Sequence, residues 1–311
     1  MKQTCTFRLL SVILCLFLMV SILPMTASAD MGPKASVRIL FENMGDELCY
    51  GTLLSKNKST GPASVWDGNE EYAIHNENEH YSYATFDYAT WKAFVEYEDS
   101  DGYYFLQEGW VVSETKEIAW TYYPPSSFKI LLYYPETETF VVSGIYEKYA
   151  FDTYYAVDMD GVNIGSVQYD EELSTDERIN AYRSYNYTVE VLSLVARILL
   201  TIVIEMLVAL LFGFRKKQLL LLLVANTATQ IILNVLLNII NYNSGQLAFF
   251  IFYILFELIV IALEAVIYCV WMRKLTEKQK ANWFYILYSF VANAISFGAG
   301  MLIARWLPGI F

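Results

Sequence analysis

The chain has 311 residues, of which 56% are apolar, 16% aromatic and 17% charged, with a formal net charge of −12; this is too apolar for an ordinary soluble globular protein. Residues 30–188 hold 28 of the 33 acids, 10 of the 21 bases and 20 of the 25 tyrosines, whereas residues from 189 onward form four long apolar runs. A segment so acidic repels phosphate, which excludes a basic nucleic-acid binder and a protein held electrostatically on an anionic surface.

Lys2 and Arg8 precede an apolar run from Leu9 to Leu23, followed by Pro24 and then Ala27-Ser28-Ala29. A basic start, a short apolar stretch and small residues at a cleavage point form a secretory signal peptide, 1–29. The run is shorter than the ~20 residues a spanning helix needs, so cleavage after Ala29 is expected; an uncleaved anchor would also deliver residue 30 to the outside. Removing Cys5 and Cys15 leaves Cys49 and Cys269, so no intrachain disulfide can staple the exported domain. Such a domain is commoner in bacteria than in animal secretion, and its length is enough for a core of its own.

Residues 30–173 read as an extracytoplasmic β-rich domain. Apolar or aromatic stretches recur about every ten residues: Ser36 to Phe41, Leu48 to Leu54, Tyr103 to Leu106, Ile118 to Tyr123, Phe128 to Tyr134, Thr139 to Ser143 and Tyr154 to Asp158. Their Val, Tyr, Thr and Phe content predicts strands of an antiparallel, sandwich-like fold. Glu42 to Asp46 and Pro135 to Glu138 are the expected hairpin connections. Thr85 to Tyr97 places Phe86, Ala89, Ala93 or Phe94, and Tyr97 at helical steps, which predicts one inserted amphipathic helix. Ser174 followed by Glu177 is a capping pattern, so 174–188 is expected to be a juxtamembrane helix carrying Tyr182 and Tyr185 into the first span.

Four features of this domain could bind something. The tetrads Asp99-Ser100-Asp101-Gly102 and Asp158-Met159-Asp160-Gly161 space two carboxylates for a hard cation, but both lack the remaining ligands of a calcium loop; an Asp-Gly turn is the simpler reading. Trp66, Trp91, Trp110 and Trp120 could make a stacking platform for sugar or peptide, and could equally be core. The doublets Tyr103-Tyr104, Tyr122-Tyr123, Tyr133-Tyr134 and Tyr154-Tyr155 should each send one ring inward and one outward if they lie on strands. His75 and His80 lack a third ligand for a metal and read as a solvated loop.

Residues 189–306 read as a four-helix transmembrane domain with spans at about 190–214, 218–240, 247–272 and 283–306. Arg215-Lys216-Lys217 and the Arg273 to Lys280 segment mark the cytoplasmic side, while Asn241 to Gln246 is uncharged. That places the β-rich domain and the C-terminus outside, as the signal peptide does independently.

Polar residues inside the spans carry the most information, because an ionisable group at mid-membrane is costly and must face the bundle or water. Arg197, Thr201 and Glu205 step by four, as do Asn226, Gln230, Asn234 and Asn238; Glu257 and Glu264 lie two turns apart. Span four offers Ser289, Asn293, Ser296 and Gly300, a stripe that permits close helix contact. At 1.5 Å per residue, Arg197, Glu257 and Asn234 share an outer level and Glu205, Glu264 and Asn226 an inner one. The expectation is an Arg197–Glu257 ion pair above, and below it two carboxylates that share a proton or bind a cation. Hydrogen bonding that merely holds the helices together uses the same rows.

Neither a serine triad nor a histidine-ligated metal site can be built from span residues without histidine, no phosphate-binding glycine loop is present, and no resident cofactor is implied. The stretches ADMGPKASV at 29–37, DGYYFLQ at 101–107, YYPP at 122–125, FKILLYYPETETFVVS at 128–143 and YAFDTYY at 149–155 resemble a set of uncharacterised clostridial membrane proteins. So do LLTIVIEMLVALLFGFRKK at 199–217, NTATQIILN at 226–234 and ELIVIALEAVIY at 257–268. The resemblance implies a Gram-positive source and the same two-part organisation, and brings no assigned activity.

The sequence therefore predicts a multi-pass bacterial plasma-membrane protein: a mainly-β extracytoplasmic domain followed by a four-span helical bundle in the lipid bilayer. The favoured function is recognition or sensing, acting with a partner membrane protein or a second copy, because the predicted cytoplasmic loops are too short for an output domain. The competing function is a small proton- or cation-coupled transport component using Glu205 and Glu264.

Overall fold

A computed structural model of the chain describes residues 33–68, 87–160, 162, 179–276 and 279–306. The signal peptide, Phe86, Ser174, His75 and His80 lie outside the described residues.

The N-terminal region is rich in β-structure and the C-terminal region is helical. One sheet has the order β11-β10-β1-β6, built from β1 (Ser36–Glu42), β6 (Glu117–Trp120), β10 (Asp152–Asp158) and β11 (Ala181–Arg183). The other has the order β5-β2-β7-β8, from β2 (Tyr50–Ser55), β5 (Trp110–Val111), β7 (Ser127–Tyr134) and β8 (Thr139–Val142), with β9 (Tyr146–Glu147) also pairing β7. A short ribbon, β3 (Ser59–Thr60) and β4 (Ala63–Ser64), stands apart. Alternate side chains of both sheets meet in one buried cluster: Val37, Ile39 and Phe41 of β1, Ile118 and Trp120 of β6, Phe128, Ile130, Leu132 and Tyr134 of β7, and Tyr155 and Val157 of β10.

Two expectations about pairing are corrected. β1 runs parallel to β10, from Ser36 opposite Asp152 to Glu42 opposite Asp158, so the sheet is mixed rather than antiparallel; the long chain between the two strands leaves room for a parallel return that no tight hairpin could make. Glu42 to Asp46 is consequently a crossover between sheets, since β1 and β2 do not share one. Pro135 to Glu138 does close a hairpin, joining Tyr134 to Thr139 with Glu138 at φ 52°.

The inserted helix α1 (Tyr88–Glu96) is capped by Asp87, whose carboxylate accepts from the Thr90 amide at 2.8 Å. Its Trp91 and Phe94 pack with Leu54, Phe105, Leu131 and Tyr133 in a second cluster. β7 is thus covered on both faces, which is why Tyr133 and Tyr134 are both buried where strand alternation predicts one. Tyr103-Tyr104 and Tyr154-Tyr155 do split into one buried and one exposed ring, and Tyr122-Tyr123, beyond the end of β6, are both exposed. The single helical turn α2 (Val112–Thr115) precedes β6.

Residues 181–183, expected to be helical, form β11 on the edge of β10, and α3 (Tyr187–Leu211) begins only after Asn186, which accepts from the Val189 amide at 3.2 Å. α4 (Lys217–Trp271) follows, and then α5 (Asn282–Trp306). Among the described residues α3 and α4 are long and apolar enough to cross a membrane. Within α4 only Gly245 leaves helical geometry, at φ 80° and ψ 177°. The two arms fold back antiparallel about it, so that residues on opposite sides of the break meet: Leu233 and Leu237 pack with Val260, and Thr229 reaches Glu264.

The break is also where the β-rich region touches the helices. The Phe151 amide donates to the Tyr242 carbonyl at 2.8 Å, and a Cβ at Gly245 would lie 2.4 Å from Cε1 of Phe151. Tyr185 meets Tyr242 edge-on at 5.5 Å, and Arg183 stacks on Tyr149 at 4.4 Å. Part of the tyrosine excess is thereby spent on this junction.

Candidate functional site

The helices bury their polar residues and expose their apolar ones. Leu192, Leu199, Leu220 and Ile232 are each more than half exposed, whereas Glu205, Asn226, Gln230, Glu264, Asn293 and Ser296 are buried. Steps of three and four align these residues along the inner face of each helix, which brings them together when the arms pack.

Glu205, on α3, accepts from the amide of Asn226 on the first arm of α4, and from Ser296 Oγ on α5 at 3.2 Å. The Asn226 amide oxygen accepts from the Tyr268 hydroxyl, on the second arm. Glu264, on that same arm, accepts from Thr229 Oγ1 at 2.8 Å and from Asn293 Nδ2 at 2.8 Å. Tyr288 adds a bond from its hydroxyl to the Glu205 carbonyl at 3.2 Å. The two carboxylates are therefore held by donors from the first arm of α4 and from α5, and among the described residues no basic side chain forms an ion pair with either. On one side of the network lies an aromatic layer in which Phe214 stacks on Tyr285 and meets Tyr288 edge-on. On the Gly245 side lie Leu233, Leu237 and Val260 with Phe249, Tyr253 and Phe256. Both layers are largely apolar and aromatic, and burial at low dielectric strengthens the electrostatic interactions between them.

The expected Arg197–Glu257 ion pair is absent. Arg197 Nη2 donates to Asn238 Oδ1 at 2.5 Å, and the guanidinium lies 5.5 Å from the Phe249 ring centroid. The long side chain reaches along the helix toward the Gly245 end, as arginine stems do when their head seeks a more polar level. Glu257 stays buried, and its Oε2 has no hydrogen-bond partner among the described residues. Asn234 turns back to its own helix, donating to the Gln230 carbonyl at 2.9 Å, and Thr201 is half-buried one turn from Glu205. Sequence reading missed Thr229, Ser296 and Tyr288 as carboxylate-network members. Ser296 was visible only as a small residue, and Thr229 lies off the four-step row.

The candidate sites of the β-rich region come out differently. Asp99 and Asp101 both lie 2.6 Å from Nζ of Lys129, a lysine buried in the strand core, so the cation they hold is the protein's own. Asp99 Oδ2 also accepts from the amides of Asp101 and Tyr103, fixing the turn. Asp158 accepts from Asn43 Nδ2 at 2.9 Å and from the Asp160 amide at 3.0 Å, and these bonds lower its carboxyl below the ordinary range. Among the described residues no group of three potential ligands could hold a metal ion.

The four tryptophans do not form one platform. Trp66 meets Trp91 edge-on at 5.4 Å in the α1 cluster, and Trp110 lies 5.7 Å from Trp120 in the core between the sheets. Trp66 does line a cleft of about 400 Å³ with Tyr97, Tyr103, Tyr104 and Phe105. Outside the helices, burial lifts the Glu108 carboxyl to about 7 and the Cys49 thiol to about 12.

No protein-family model, curated protein or solved structure matches this chain.

Proposed function

We propose that this is a multi-pass plasma-membrane protein of a Gram-positive bacterium, with a sandwich-like β domain outside and four helical spans, and that it works as a small proton- or cation-coupled transport component. The observation that carries the reading is the convergence of Glu205 and Glu264 in one hydrogen-bonded network that, among the described residues, has no basic partner. Two buried carboxylates so placed repel one another at low dielectric, and a proton or a bound cation relieves the repulsion. Ionisable residues inside spans mark ion pathways more often than they mark packing. The Lys/Arg segments put Arg215 and Arg273 in the cytoplasm and the β domain outside. The β domain then caps the outer end of the bundle through Phe151 and Gly245.

The test is flux. Full-length protein in sealed vesicles should change the internal pH when a cation gradient is imposed, and Glu205→Gln or Glu264→Gln should abolish the change. Unaltered flux in both variants would remove the carboxylate pair from the mechanism.

Recognition by the outer domain, with a partner membrane protein or second copy, is the second reading. The aromatic cleft at Trp66 favours it, while Trp91, Trp110 and Trp120 lie in the two cores.

A further inference from the structure

Glu205 and Glu264 are each held by the same two kinds of group. One oxygen faces a carboxamide N–H: Glu205 Oε2 accepts from Asn226 Nδ2, and Glu264 Oε2 from Asn293 Nδ2 at 2.8 Å. The other faces a hydroxyl: Glu205 Oε1 lies 3.2 Å from Ser296 Oγ, and Glu264 Oε1 lies 2.8 Å from Thr229 Oγ1. Both hydroxyls also lie beside a carbonyl of their own helix, Ser296 Oγ at 3.0 Å from that of Asn293 and Thr229 Oγ1 at 3.1 Å from that of Ala225. A hydroxyl carries one hydrogen and turns to suit its neighbours, so at each carboxylate two acceptors compete for one hydrogen. One proton on each carboxyl ends the competition: the acid O–H donates to the hydroxyl oxygen, and the hydroxyl gives its hydrogen to the carbonyl. Without that proton the hydroxyl turns to the carboxylate instead, and the carbonyl keeps its helical bond. The network is short of hydrogens at one further place, since the buried Asn293 Oδ1 has no donor among the described residues.

We propose that the ion taken up by Glu205 and Glu264 is the proton and not a metal cation, and that Ser296 and Thr229 set this choice by accepting from the protonated carboxyls. The inference rests on the transport reading and names its ion. A proton from the aqueous phase adds to Oε1 of each glutamate, and no other covalent bond is made or broken. A metal cation needs several oxygens turned toward it, whereas both carboxamides turn nitrogen toward the carboxylates. That of Asn293 is fixed in this sense, because its Nδ2 also donates to the Ser289 carbonyl at 2.9 Å. Burial points the same way: Glu205 is 0% and Glu264 1% exposed, and a proton neutralises such a group without further ligands. The other ionisable groups facing the pair are Tyr253, Glu257 and Tyr268 of the second arm of α4 and Tyr288 of α5. The first arm contributes none, and Arg197 of α3 is bonded to Asn238.

The experiment is infrared difference spectroscopy of the full-length protein in lipid vesicles, titrated with pH in choline, sodium or potassium chloride. A carboxylic-acid C=O band should grow as pH falls, shift in D2O and be the same in all three salts. Glu205→Gln and Glu264→Gln should each remove one component of it, and Glu257→Gln should leave both. Ser296→Ala and Thr229→Val should move the matching component to higher frequency, because the acid O–H loses its acceptor, and Ser296→Thr and Thr229→Ser should restore it. The pH and salt arms need only the native protein, so they stand even where a variant does not fold. Loss of the band on adding sodium or potassium at constant pH would make the pair a metal-cation site, overturning this inference and leaving the transport reading intact. No acid band at any pH, or components that Ser296→Ala and Thr229→Val leave unmoved, would overturn it as well. A normal titration beside vesicle flux that Glu205→Gln and Glu264→Gln leave unaltered would support the proton site and remove the transport reading alone.

Discussion

Lys129 shows how the β-rich region handles a buried charge. Its ammonium sits in the strand core between two carboxylates and 5.7 Å from the Tyr103 ring centroid, so its desolvation is offset on every side. Removing the cation leaves Asp99 buried without its counter-ion, held only by two backbone amides. Lys129→Ala should therefore destabilise the protein by about 3–5 kcal/mol in chemical denaturation, far more than an exposed lysine would. Glu108 is the opposite case, a carboxyl lifted by burial to about 7 from its ordinary 4.5. The folded state binds that proton more tightly than the unfolded chain, so the stability it lends is full below about 4.5 and falls as pH rises to about 7. Glu108→Gln should flatten this fall and raise stability at pH 8 by about 1 kcal/mol, because partial exposure screens the cost. The measurement is the denaturation midpoint across pH.

At the scale of elements, the decisive residue is Gly245. Its φ of 80° is open to glycine, and a Cβ there would collide with the Phe151 ring. Gly245→Ala should cost about 1–3 kcal/mol in backbone strain alone, and more with Phe151 in place. In a Phe151→Ala background the steric part disappears and only the strain remains, which a double-mutant cycle on Tm resolves. This junction was not legible in the sequence, where Asn241 to Gln246 read as an uncharged loop. The strands from Ser36, Tyr50, Ser127, Thr139 and Asp152 were legible, because alternation and β-branched or aromatic content report the local period. So was α1, through its helical spacing, whereas its cap at Asp87 came from the structure. The parallel pairing of β1 with β10 was not, since periodicity says nothing about which distant strand lies alongside. The paired tryptophans were ambiguous for a related reason: a ring suited to a ligand is equally suited to a core. Glu205, Asn226 and Glu264 could be found because a polar residue in an apolar helix must point inward, and depth along the helix then brought them to one level; Asn293 was visible only as a polar member of the stripe on span four. Arg197 was misjudged because its reach exceeds its level: backbone depth located the residue, and a flexible stem carried the charge elsewhere.

At the scale of the whole molecule, the helices reverse the burial order of a soluble protein. Leucines and isoleucines face outward around a polar interior, an arrangement that lipid favours and water does not. The β-rich region meets this unit through a hydrogen bond and aromatic contacts at the break in α4, the helix that bears Glu257 and Glu264. The central claim is that Glu205 and Glu264 together take up a proton or cation. The most direct measurement is the Tm of the detergent-purified full-length protein across pH and added cations, beside Glu205→Gln/Glu264→Gln. A proton- or cation-dependent rise in Tm that disappears in the double variant is the predicted result. Equal responses in both proteins, or a flat response in each, would contradict the claim and leave the carboxylates as ties between helices.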